Sequence, residues 1–128
     1  MKYLIVIFLV ASANVSNAQE KVERKGFALS VNSKIDEALM TKEDLKNATF
    51  GVHSFYEEFV GRVGLKGFTI KYPGQKEIKI QGNKLNAEAI RALSKLKLGD
   101  EVVAYDAISQ TDGDYRIEIR SPIIITIR

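Results

Sequence analysis

The last thirteen residues constrain the fold more than any other stretch. Ile117, Ile119, Ile123, Ile125 and Ile127 share one parity, and Arg116, Glu118 and Arg120 share the other. Side chains alternate between the two faces of a strand, so this period of two predicts a β-strand with one buried and one polar face. Pro122 falls on the polar parity and removes one backbone donor, which suits an edge or a bulged position. Short β patterns recur upstream. Phe27, Leu29 and Val31 alternate, as do Ile78 and Ile80, and residues 48–53 and 101–109 also read as strands. Residues 59–72 form the longest candidate. There Phe59, Val63 and Leu65 share one parity and Phe68, Ile70 and Tyr72 the other. A one-residue slip would turn the wrong set outward unless the strand bulges, and Gly64 and Gly67 flank the slip. Pro73-Gly74 and Asp112-Gly113 mark turns.

Two helical signals interrupt this pattern. Thr41 followed three residues later by Asp44 fits a capping box for a short helix ending near Asn47. Residues 86–98 predict the one longer helix: Asn86 as N-cap, Leu85 and Ile90 as a hydrophobic staple, Ala89, Ile90, Leu93 and Leu96 as the apolar stripe, and Gly99 as C-cap. The expected fold is therefore mainly β, a sandwich carrying one helix.

The N-terminus reads differently. One cation at Lys2 precedes an unbroken apolar run over residues 3–10, and Ser16-Asn17-Ala18 closes it with small residues. That order predicts a secretory signal over residues 1–18, and a run this short is no membrane span. The expected mature chain is a single domain over residues 19–128, in the periplasm or cell envelope. It loses only one charge, so the net charge falls from +3 to +2. No block of five or six Lys and Arg occurs, so nucleic acid is not an expected partner. With no Cys, the domain needs packing alone to hold it, and thiol catalysis and thiolate metal sites are excluded.

Motifs for chemistry are thin. His53 is the only histidine. Strand alternation points it away from its neighbour Ser54, so the two do not form a dyad. Glu57 and Glu58 read as a solvated pair. Asp112-Gly113-Asp114 lacks the distal acid of a calcium loop. Gly61, Gly64 and Gly67 do not follow a phosphate-binding fingerprint and no helix follows them. No catalytic residue, metal or cofactor is expected, and a protein partner is. Arg116, Glu118, Arg120 and Arg128 on the polar side of the last strand form the candidate interaction surface, because Arg makes strong interface anchors. The competing reading is that these charges protect a sheet edge.

Taken in order, residues 64–72, the helix at 86–98, Leu98-Gly99-Asp100-Glu101-Val102, Asp106-Ala107-Ile108 and Thr111-Asp112-Gly113 resemble the C-terminal domain of the GldM family, part of the gliding-motility and type IX secretion machinery. Residues 35–59 follow the same order. The resemblance implies an immunoglobulin-like β fold with a helix, a periplasmic location, binding to partner proteins at the outer membrane and no catalytic residues. Without the transmembrane helix and preceding periplasmic domains of the full-length family protein, the chain is expected to be a stand-alone relative of that last domain. Two other readings remain open: a small exported ligand- or glycan-binding protein, and an envelope enzyme or inhibitor that uses His53.

Overall fold

The computed structural model describes residues 26–110 and 117–128. The expected signal at residues 1–18, the turn at Asp112-Gly113 and Arg116 lie outside them. Two β-sheets share one core. The first has five strands in the order β3 (Glu37–Met40), β9 (Ile123–Ile127), β7 (Glu101–Gln110), β5 (Gly64–Lys71) and β6 (Ile78–Gln81). The second has β2 (Lys34–Ile35), β1 (Phe27–Val31) and β4 (Phe50–Ser54), with β8 (Ile119–Arg120) pairing in parallel with β1. Phe50 of the second sheet stacks on Phe68 of the first, with ring centroids 4.3 Å apart. Around this contact lie Leu29, Val31, Ile70, Val102, Ile123 and Ile125, all buried. The protein is a mainly β sandwich, as the alternation predicts.

Helix α1 (Lys42–Lys46) opens on the expected capping box. The Thr41 hydroxyl accepts from the Asp44 amide at 3.0 Å, and the Asp44 carboxylate accepts from the Thr41 amide at 3.3 Å. Helix α2 (Ala87–Ala92) opens on Asn86, whose Oδ1 accepts from the Ala89 amide at 2.9 Å. Together with the turn that follows, it closes the core with Ala89, Leu93 and Leu96. The Tyr72 hydroxyl donates to the Ala89 carbonyl at 2.9 Å, tying helix to sheet. Burial pushes that hydroxyl's pKa well above the usual tyrosine range.

The helix is shorter than the sequence predicts. It tightens into a 3-10 turn at Leu93–Lys95, and Leu96 is extended. Gly99 is not its cap. With φ +90°, Gly99 instead sits in the next turn, which Asp100 holds by accepting from the Lys97 amide at 2.8 Å. Residues 59–72 are also not one strand. A 3-10 turn at Glu57–Phe59 precedes β5, which starts at Gly64, and the longest strand is β7. Hairpin β1–β2 turns on Asn32 and Ser33, both with positive φ (48° and 70°). That is the twisted two-residue turn that antiparallel strands prefer.

The expected bulge is present, and it has a counterpart. Opposite β7, residue Lys66 is extra on β5, since Leu65 pairs Ser109 and Gly67 pairs Ile108. One step on, β7 holds the extra residue, because Gly67 pairs Ile108 and Thr69 pairs Tyr105. Asp106 lies there with φ 52°. The first bulge lets Leu65 and Phe68 both face the core despite opposite parity. Gly67 sits against β6 so closely that a Cβ would lie 2.6 Å from the Ile80 carbonyl oxygen. Gly67→Ala should therefore cost about 1–3 kcal/mol, the scale of overpacking. Gly64→Ala, whose Cβ meets its nearest atom at 3.7 Å, should change stability by about 0.5 kcal/mol or less. Urea denaturation of both variants checks the contrast.

Candidate interaction surface

The C-terminal alternation does not make one strand. Ile119 and Arg120 pair with β1 in the four-stranded sheet, and after Ser121-Pro122 the chain enters the five-stranded sheet as β9. Ile119, Ile123, Ile125 and Ile127 all face the core, but Ile119 serves a different sheet from the other three. Ile119 packs against the core beside β1, whereas Ile123, Ile125 and Ile127 are its floor. This crossing divides the expected surface of Arg116, Glu118, Arg120 and Arg128. Strand β9 is also no edge, because it lies between β3 and β7. Edge protection does not explain its flanking charges.

Arg128 belongs to a helix terminus. Its Nη2 lies 3.6 Å from Oδ2 of Asp44, the acid of the α1 capping box. The pair is exposed, and such pairs contribute about 0–1 kcal/mol. Arg120 has a different setting. Its register partner on β1 is Ala28, and the partner of Ala28 on the other side is His53 of β4. Residues directly opposite across strands share a face. Arg120, Ala28 and His53 therefore form one row on the outer face of the four-stranded sheet.

Phe55 completes the row. Two residues beyond His53, its ring meets the imidazole edge-on, with centroids 4.6 Å apart and planes at 74°. The Arg120 guanidinium lies 5.5 Å from the same ring's centroid, within cation–π range. Arg120 Nη2 also lies 3.4 Å from Oδ1 of Asp36. Ala28 is 2% exposed although it faces outward. Strands on both sides and long side chains flanking a small residue account for this burial. The sequence predicts burial for the Phe27, Leu29 and Val31 parity of β1; the structure buries Leu29 and Val31, leaves Phe27 partly exposed, and buries Ala28 and Ser30 too.

A second aromatic group forms around Phe27, which pairs with Ser54 and so lies on the opposite face of β1 from this row. Phe27, Tyr56 and Phe59 meet edge to face, with centroids 5.6, 6.0 and 6.2 Å apart. Such pairs contribute about 0.5–1.5 kcal/mol beyond area burial. Tyr56 remains 36% exposed and its neighbour Val60 64%. The turn that presents them is fixed by Ser54, whose hydroxyl accepts from the Tyr56 amide at 3.0 Å and donates to the Tyr56 carbonyl at 2.9 Å. Ser54 is thereby occupied, and its side chain faces away from His53. Beside Phe27 an open groove of about 470 Å³ is lined by Glu118, Ile119, Arg120 and Ser121.

Two residues singled out separately in the sequence, His53 and Arg120, thus meet on one ring, and Glu118 lines the adjoining groove. Arg128 stands apart, and Arg116 is outside the described residues. The aromatic side chains were the missed part. Phe27, Tyr56 and Phe59 form one partly exposed group and Phe55 meets His53 and Arg120, while Phe50, Phe68 and Tyr72 are core. The available signal was the run Phe55-Tyr56-Glu57-Glu58-Phe59, three aromatics out of strand phase and mixed with charge. Among the described residues no group of three or more His, Asp and Glu is placed to hold a metal ion. No helix among the described residues is long and apolar enough to cross a membrane. No family model matches the chain, and no curated protein matches it.

If Arg120 rests on Phe55 as described, the two couple. A double-mutant cycle of Arg120→Ala and Phe55→Ala in urea denaturation should give a coupling energy of about 0.5–1 kcal/mol. The pairing of Arg128→Ala with Phe55→Ala should give about zero, since independent sites add.

Proposed function

We propose that this chain is an exported, non-enzymatic protein-interaction module of the cell envelope, and that it docks its partner through the outer face of the four-stranded sheet. One observation carries the reading: Arg120 and His53 both meet the Phe55 ring on the outer face of this sheet, and the exposed Tyr56 follows Phe55 in the chain. Aromatic residues and Arg supply most of the anchoring energy in protein interfaces, where charged residues such as Lys and Glu are depleted from the centre. Here the rings are pre-ordered by contacts within the chain, so docking loses little side-chain entropy. Glu57, Glu58, Glu118 and Arg62 supply a charged rim.

On this reading residues 1–18 direct export, and the mature domain works in the periplasm as a relative of the GldM C-terminal domain. Its partner is then a protein of the secretion or gliding apparatus at the outer membrane. The order of motifs from Gly64 to Gly113 supports this assignment.

The experiment is in-cell photo-crosslinking with the reactive residue at Tyr56 or Val60, and at Lys46 as a distant control. Envelope proteins should be captured from the first two positions only, and Phe55→Ala or Arg120→Ala should reduce the yield about tenfold or more, the loss of a hot-spot side chain. Equal capture from Lys46, or capture that survives both variants, would count against this face. A rise in melting temperature with oligosaccharides, abolished by Phe55→Ala, would move the assignment to glycan binding.

A further inference from the structure

A polar recess lies over β5, where the two bulges meet. Phe68 and Ile70 are buried in the core, so Gly67 and Thr69 belong to the outer face of the sheet. Ile78 and Ile80 of β6 are buried too, which sends Lys79 and Gln81 to that same face. In register, Gly67 lies between Ile108 of β7 and Gln81 of β6, and Thr69 lies between Tyr105 and Lys79. Gly67 therefore leaves a gap in the middle of its row, and its close approach to the Ile80 carbonyl keeps any side chain out. An open groove of about 530 Å³ lies here, lined by Thr69, Lys79, Gln81 and Ile108 and by Asp106 and Ala107 of the β7 bulge. Small-molecule sites fall in this range of volume.

One side chain marks the groove as more than a surface depression. Thr69 is 6% exposed, and among the described residues its hydroxyl has no hydrogen-bond partner. Buried polar groups are nearly always paired, so such a hydroxyl is open to a partner from outside the chain. The other polar groups of the groove are equally unengaged. Among the described residues the side chains of Lys79, Gln81 and Asp106 make no hydrogen bond or ion pair. Tyr105 differs, because its hydroxyl donates to Glu77.

The four free groups define what fits. The Asp106 carboxylate only accepts, the Lys79 ammonium only donates, and Gln81 and Thr69 do both. Their charges cancel, which disfavours a simple anion or cation. Strand β5 separates Lys79 from Asp106, so their backbones are about 10 Å apart, two strand spacings. The adjacent charges of an amino-acid zwitterion do not span that gap. A series of hydroxyls, each both donor and acceptor, matches the whole set, and Ile108 and Ala107 give an apolar wall for the C–H face of a sugar ring. We propose that this groove binds a neutral oligosaccharide, with Thr69 and Asp106 among its polar contacts. The site is on the opposite sheet from the row of Arg120, Phe55 and His53, so it is independent of the docking face.

The test screens the purified chain against an array of neutral oligosaccharides and titrates the strongest binder by calorimetry. Thr69→Val removes the hydroxyl and keeps the shape. Asp106→Asn removes the charge with a residue that tolerates the φ of 52°. Each should weaken binding about tenfold or more. Phe55→Ala, shown by circular dichroism to be folded, should leave binding unchanged. Without ligand, Thr69→Val should melt at the same temperature as the wild type or higher, because no partner is lost. No binding across the array, binding unchanged in both groove variants, or binding lost in folded Phe55→Ala would overturn the proposal. A lower melting temperature for Thr69→Val would also overturn it, by showing the hydroxyl already paired.

Discussion

The pairing of β5 with β7 is the constraint on which the rest of the fold depends. These strands lie in the middle of the five-stranded sheet, and between them they carry two opposed bulges within a few residues. Each bulge flips the phase of its own strand. On β5 the flip lets Leu65 join Phe68 and Ile70 in the core. On β7 it comes after Ala104, so that Ala107 packs inward and Ile108 is left 57% exposed. One bulge alone would leave every later pair out of register and turn one strand's apolar set to solvent. The second restores the match, and Phe68 stays in place to stack on Phe50. That stack joins the two sheets, and β4, which begins at Phe50, leads directly to His53 and Phe55.

Much of this was legible in the sequence because it depends on local rules. The phase slip between Leu65 and Phe68 can be seen without coordinates, and the two glycines beside it name the remedy. The caps at Thr41 and Asn86 follow from side chains that satisfy nearby amides, so they are recognisable within four residues. What was not legible was non-local. The isoleucines from Ile117 to Ile127 keep one parity through Pro122, and nothing in that period reveals that Ile119 and Ile123 serve different sheets. The bulge at Asp106 lies in a strand whose sequence shows no glycine. The end of the helix at Lys95 also depends on tertiary packing, since Leu96 must leave the helical path to be buried.

The same division applies to the candidate surface. His53 and Arg120 were visible as residues of interest, yet each had a bland reading when taken alone. Their shared contact with Phe55 depends on β8 pairing with β1 next to Ala28, a register that sequence pattern does not specify. Within the surface expected at Arg116, Glu118, Arg120 and Arg128, the structure separates Arg128 from Arg120 for the same reason. Strand parity puts these residues on one side only if the strand is continuous, and the crossing at Ser121-Pro122 breaks it. Arg128 then closes a helix cap through Asp44, while Arg120 faces an aromatic ring.

The functional reading therefore depends on one geometrical claim, that the chain crosses between sheets so as to bring Arg120 and His53 to the same ring, Phe55. Nuclear Overhauser contacts from the Phe55 ring test this most directly. The account predicts contacts to the Arg120 methylenes, the His53 ring and the Ala28 methyl, and none to Leu29 or Phe50. Contacts from Phe55 to Leu29 or Phe50, with none to Arg120, would place the ring in the core and contradict it.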